Sequence, residues 1–202
     1  MVVPDPEAGD EALAARAAAG DDSAFEALVT RYQARVFRLA ARLTGNEADA
    51  FDALQDTFLQ VHSHLSSFRG DSRFGTWLYR IATNAALAGH RIRARQPTVS
   101  LDTLLPRFDD AGVHSATPQE LQIACHAEEL LDREVLAQKA REALEQLPEL
   151  YRAAFVLRDL EDMPTADVAR VLEIEPAAVR QRVHRARLML RGYLTDVLGV
   201  KP

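Results

Sequence analysis

Between Phe68 and Asn84 the chain gathers rings, guanidinium groups and one amide: Phe68, Arg69, Arg73, Phe74, Trp77, Tyr79, Arg80 and Asn84, with Gly70-Asp71-Ser72 as a turn among them. Continued to Gln96, this block holds six Arg against the single acid Asp71, and Trp77 is the only Trp of the sequence. Arg neutralises phosphate, aromatic faces stack on unpaired bases, and an amide can read a base edge. The chemistry available here is therefore the binding of single-stranded nucleic acid rather than bond making. A second basic set stands near the C-terminus, where Glu175–Leu194 carries five Arg against Glu175 alone. A third set, Asp49, Asp52 and Asp56 on one helical face, could suggest metal or acid/base work. No His joins that face, and acids are favoured at a helix start in any case, so a surface for a positively charged partner helix is the better reading.

Helices have to position these groups. From Phe74 the apolar residues recur as Phe74, Trp77, Leu78, Ile81, Ala85, Ala88 and Ile92, which predicts one buried helical face ending before Arg95-Gln96-Pro97. Phe74 and Trp77 lie on that stripe and are expected in the core. The opposite face is expected to carry Thr76, Tyr79, Arg80, Thr83 and His90, with Asn84 and Arg91 on its flank. Two helices precede it: one from Ala24 to Thr44-Gly45-Asn46, with Arg31, Arg35, Arg38 and Arg42 along one side, and one from Glu47 to about Leu65. His62 and His64, two apart on a helix, do not aim at one ion. Residues 1–20 are expected to form a flexible tail with at most a short helix, so that residues 21–96 make a first small all-α domain.

Residues 97–132 read as a flexible acidic linker: seven acids against Arg107 alone, so this stretch carries the whole formal net charge of -6. A second helical domain follows over residues 133–196, with Pro148 stopping one helix and Pro164 and Pro176 opening others. A short helix over Ala166–Leu172, a turn at Glu173-Ile174-Glu175 and a basic helix form a helix-turn-helix. On the last helix Val179, Val183, Ala186 and Leu190 face inward, while Gln181, His184 and Arg185 face out, flanked by Arg180, Arg182, Arg187 and Arg191. Such a face enters a major groove, where Gln pairs with adenine and Arg with guanine or phosphate.

Composition sets the outer bounds. The chain has 202 residues, 48% hydrophobic and 27% charged, an ordinary globular balance. Cys125 is the single cysteine, which excludes an intramolecular disulfide and a cysteine zinc cluster. No apolar run approaches a membrane span and the start lacks a signal-peptide pattern, so a cytoplasmic protein without membrane insertion, cofactor or metal is expected. Cys125, His114 and His126 read as passengers of the linker.

In order and spacing, several segments resemble the extracytoplasmic-function sigma factors, specificity subunits of bacterial RNA polymerase. The carriers are Gly20–Val29 with Tyr32, Asp52–Phe58, Phe68–Ser72 leading to Phe74 and Thr76–Ala82 with Asn84, Leu147-Pro148, and Val179–Arg187. The resemblance implies that Asp52, Gln55, Asp56 and Phe58 dock on core polymerase. It implies a pocket for a base flipped from the melting promoter, drawn from Phe68, Arg69, Asp71, Ser72, Arg73, Trp77, Tyr79, Arg80 and Asn84. It implies that Arg180, Gln181, His184 and Arg185 read a more distant duplex element, with Arg182 and Arg187 beside them. The acidic linker resembles the connector that threads toward the polymerase RNA channel, and a dedicated anti-sigma factor is implied as a partner. Two departures stand out: Glu173-Ile174-Glu175 occupies a turn that often holds Gly, and Pro164 replaces a usual Ser cap. The rivals are a helix-turn-helix regulator that acts without polymerase, which has no use for the Phe68–Arg95 block, and a small helical hydrolase using Asp49, Asp52 and Asp56 with His62, which absence of metal-dependent turnover with an intact fold in chelator would dismiss. No catalytic residue and no small-molecule substrate are expected.

Overall fold

The computed structural model describes residues 9–93 and 133–197; the expected linker over residues 97–132 lies outside the described residues. All regular elements among the described residues are helical. The first group comprises α1 (Asp10–Ala18), α2 (Asp22–Thr44), α3 (Glu47–His64) and α4 (Phe74–Arg93), with a 3-10 turn at Leu65–Ser67 before the loop that leads into α4. The second comprises α5 (Arg133–Gln146), α6 (Glu149–Phe155) continued by a π-helical turn at Val156–Leu160, α7 (Thr165–Leu172) and α8 (Pro176–Val197). This is the expected pair of small helical domains.

Caps fix the ends. Asp21 precedes α2 and accepts from the Ala24 N–H and the Ser23 hydroxyl, while Gly45, at φ 69°, closes it in the left-handed conformation that Gly adopts without a Cβ clash. Asn46 then starts α3 by accepting from the N–H groups of Ala48 and Asp49. Pro164 at the start of α7 makes no side-chain cap, and α7 ends on Glu173 at φ 53°. A non-glycine residue there carries a conformational penalty of about 1–2 kcal/mol.

The apolar faces meet as the periodicities require: Leu28, Val36, Leu39, Val61, Phe74 and Leu78 fill the first half, and Leu147, Ala154, Leu157, Val168, Val179 and Ala186 the second. Three expectations need correction. Residues 10–18 are not a flexible tail: Leu13 and Ala14 are buried, Asp10 receives bonds from Arg31 and Tyr32, and Glu11 accepts from the Phe74 N–H. The face of α4 expected to be free is largely covered, with Thr76, Tyr79 and Thr83 all buried. The reason is tertiary, since α4 packs on α2, α3 and α7, and Tyr79 meets Glu161 of the second half. On α8 the inward stripe ends on Met189, and Leu190 is only partly buried.

Arg152 is buried, and its guanidinium donates to the carbonyls of Glu145 and Leu147 at the end of α5 and to Leu43 O at the end of α2. A cation placed at two helix C-termini suits their partial negative charge. Burial lowers its pKa, opposed by the charges of Glu145 and Glu149.

Candidate nucleic-acid interface

The loop between Ser67 and Phe74 is set by what lies beneath it. Gly70, at φ 76°, lets the chain reverse, and the Phe68 N–H closes on Leu65 O. Phe74 enters the core completely, in edge contact with Tyr32 at 5.6 Å and with Phe68 at 5.8 Å, while Trp77 lies 5.3 Å from Phe68. Such ring pairs contribute about 0.5–1.5 kcal/mol each beyond burial. Gly75 allows Tyr32 close, since a Cβ there would stand 3.2 Å from the Tyr32 hydroxyl. Phe74 is thus the anchor, and Phe68 and Trp77, half-buried, form the outer layer.

Above those rings opens a cavity of about 360 Å³. Phe68 and Trp77 form its apolar part; Arg69, Arg80, Ser72, Thr76 and Ser67 supply cations and hydroxyls, and Asp71 is its one carboxylate. The last lining residue, Arg170, comes from α7 of the other half. Sequence reasoning had no means of finding Arg170, because its approach depends on packing between distant segments. A pocket of aromatic faces, guanidinium groups and short polar side chains can hold a planar base and neutralise its phosphate. No group of acids, His and Cys among the described residues is arranged to hold a metal ion.

Of the expected single-strand set, the cavity brings together Phe68, Arg69, Asp71, Ser72, Trp77 and Arg80. Arg73 and Asn84 are exposed but lie outside its lining. Tyr79 departs from the expectation: it is buried, its hydroxyl donates to Glu161 Oε2 at 3.1 Å, and burial, reinforced by the Glu161 charge, pushes its pKa up to about 12. In this arrangement its ring is not offered to a strand.

The second basic face is solvent-borne. On α8, Arg180, Gln181 and His184 are exposed, and Arg182 is partly so. Arg185 leans back to within 3.4 Å of the Tyr151 hydroxyl. Arg187 is engaged with Asp159 through two bonds of 2.8 Å, so this expected DNA residue is already paired within its own half. That bidentate geometry holds the guanidinium in place. On α3, Asp52, Gln55 and Asp56 are exposed and Phe58 is half-buried, beside Phe51 and Leu59, the latter 67% exposed. This acidic and apolar strip has no counterpart elsewhere on the first half among the described residues.

Comparison with known proteins accounts for both halves. Residues 28–96 match the sigma-70 region 2 model and residues 137–190 the sigma-70 region 4 model. RNA polymerase sigma-H factor of Pseudomonas aeruginosa is 34% identical, the match covering 94% of this chain and 95% of that protein. The ECF RNA polymerase sigma-E factor of Escherichia coli is 36% identical over 88% of this chain and 90% of its own. Among solved structures, CnrH in complex with the cytosolic domain of CnrY aligns with a TM-score of 0.67 at 26% identity, over 93% of this chain and 97% of that one. With both regions present in order and relatives matched along nearly the whole length, the chain belongs to the extracytoplasmic-function sigma factors, the RNA polymerase subunits that act in transcription initiation.

Proposed function

We propose that this sigma factor delivers core polymerase to a two-part promoter and starts strand opening at the cavity between the α3–α4 loop and α4. The observation that carries this reading is the aromatic and guanidinium lining of that cavity, built on the fully buried Phe74. A base leaving the duplex loses stacking worth a few kcal/mol, which Phe68 and Trp77 can return while Arg69 and Arg80 meet the backbone. Arg180, Gln181, His184 and Arg185 on α8 read the distant duplex element, and Arg182 and Arg187 serve phosphates, Arg187 after exchanging Asp159 for DNA. Asp52, Gln55, Asp56 and Phe58 on α3, extended by Phe51 and Leu59, dock on the polymerase.

The partition into residues 21–96, 97–132 and 133–196 belongs to the same reading, with α1 now assigned to the first domain. The protein acts in the cytoplasm, performs no bond chemistry, and is restrained by a dedicated inhibitor. The complex of CnrH with CnrY supports that last element by likeness. Among the described residues no helix is long and apolar enough to cross a membrane. The test is run-off transcription: cognate core polymerase, this protein and a genomic promoter library, with RNA starts sequenced. New starts that share two spaced upstream motifs are expected; a folded protein that yields no new starts and no polymerase association contradicts the reading.

A further inference from the structure

We propose that Glu11 is a positioning residue for strand opening, a carboxylate supplied by α1 that caps α4 and so holds the loop wall of the single-strand cavity in place. This rests on the single-strand reading of that cavity. The need for such a group lies in the loop itself. The residue before α4 is Arg73, whose side chain carries donors only, so the free N–H groups of the first turn find no side-chain acceptor at the usual capping position. The neighbouring hydroxyl, Ser72, is turned to Arg73 O, to which it donates at 3.3 Å. The acceptor that meets the Phe74 N–H, also at 3.3 Å, is Glu11 Oε1, from 63 residues earlier in the chain.

α1 is anchored firmly enough to supply it. Leu13 and Ala14 are buried, and Asp10, beside Glu11, accepts from Arg31 and, at 2.5 Å, from the Tyr32 hydroxyl. Burial, reinforced by Asp10, raises the Tyr32 pKa, so that hydroxyl stays a donor. The Tyr32 ring meets Phe74 edge-on, and its hydroxyl lies over Gly75, where a Cβ would stand 3.2 Å away. Adjacent acids of α1 thus hold the start of α4 twice, Glu11 through the Phe74 backbone and Asp10 through Tyr32. α1 also packs on the 3-10 turn at Leu65–Ser67, so one helix meets both ends of the loop that carries Phe68, Arg69 and Ser72.

The functional consequence comes from what that loop must do. Phe68 on the loop and Trp77 in the first turn of α4 form the apolar part of the cavity, 5.3 Å apart, and their spacing depends on where α4 begins relative to the 3-10 turn. A flipped base stacks best on walls that are already set. Walls that move must first be ordered, and that cost falls on the opening step rather than on duplex binding. Glu11 is itself exposed, so its substitution leaves the packing of the core in place.

The experiment compares wild type, Glu11→Ala, Glu11→Gln and, as a control for stability alone, Asn46→Ala, which removes the cap of α3 at its end away from the loop. Trp77 is the only Trp, so acrylamide quenching of the free full chain reads the cavity wall directly. Promoter opening is read with polymerase holoenzyme on a 2-aminopurine promoter, and duplex binding by gel shift at low temperature. Glu11→Ala should expose Trp77 to the quencher and slow opening by about three- to tenfold, the value of one ordinary hydrogen bond, with duplex binding unchanged. Glu11→Gln keeps an oxygen acceptor and should restore both readouts to near wild type. Asn46→Ala should lower the urea midpoint and move neither. Normal quenching and normal opening in Glu11→Ala overturn the proposal, as do equal defects in Glu11→Gln and Glu11→Ala, or the same defects in Asn46→Ala. Increased quenching with normal opening leaves the brace in place and overturns its role in opening. A wild-type holoenzyme that opens no promoter overturns the reading of the cavity, and the quenching arm still decides the brace.

Discussion

The cavity at the head of α4 and the outward face of α8 both present Arg among polar side chains, yet they are held in opposite ways. At the cavity the rings are part of the core: Phe74 is fully buried, Phe68 and Trp77 lean on it, and α1 braces the loop through Glu11. On α8 the core ends at Val179, Val183, Ala186 and Met189, and Arg180, Gln181 and His184 stand in solvent. A site that stacks a single flipped base needs preorganised walls, because every loose ring costs entropy on binding. A face that slides into a groove gains most of its affinity from charge, which acts at longer range and tolerates movement. Substitutions should therefore couple stability to function at the first site and separate them at the second.

The largest effect is expected from Phe74→Ala, which should lower unfolding free energy by about 3–5 kcal/mol and abolish the cavity with it. Urea unfolding of the full chain checks this; a loss under 1 kcal/mol would mean that the ring is not the anchor. At the second site, Arg185→Ala should cost at most about 1 kcal/mol of stability, for its long bond to the Tyr151 hydroxyl, while relaxing base preference at one promoter position by about 1–3 kcal/mol. Competition binding with single-base promoter variants reads it, and uniform weakening across sequences would reduce Arg185 to a phosphate contact. Arg182→Ala should weaken binding to all duplexes alike and lower the slope of log affinity against log salt by about 1. The smallest effect concerns acid. The Asp21 carboxyl is held down to about 2, first by the Ser23 hydroxyl and then by Arg16. A depressed carboxylate supports the folded state fully above its ordinary 3.8 and loses that support as pH falls toward about 2. Asp21→Asn should flatten this part of an acid titration followed by circular dichroism, and an unchanged profile would assign the acid loss to other groups.

Much of this could be read in advance because it is local. The start of α2 at Asp21-Asp22-Ser23, the close at Gly45, the Pro-opened α8 and the apolar stripes of α2, α4 and α8 follow from caps and periodicity. The basic side of α2 was legible too: Arg35 and Arg38 are exposed, while Arg31 and Arg42 meet acids of α1 and of the second half. What escaped depends on contacts between remote segments. Tyr79, Thr76 and Thr83 follow a polar periodicity, yet all three are buried in the packed structure, Tyr79 against Glu161 of the second half; the Glu161, Arg152 and Arg170 side chains gain their roles only when the two halves meet. A polar helix face predicts solvent only when no partner carries complementary charge.

The most direct test of strand opening at α4 and duplex reading at α8 is a crossed measurement on polymerase holoenzyme. A promoter carrying 2-aminopurine at its melting point would report opening, and gel shift at low temperature would report duplex binding, for Asn84→Ala and Arg185→Ala. Asn84 is exposed, so its loss should leave stability within about 0.5 kcal/mol. The account predicts that Asn84→Ala slows opening with duplex binding intact, and that Arg185→Ala weakens duplex binding while bound complexes open at the normal rate. Parallel losses in both assays by both variants would contradict the division of labour between the two faces.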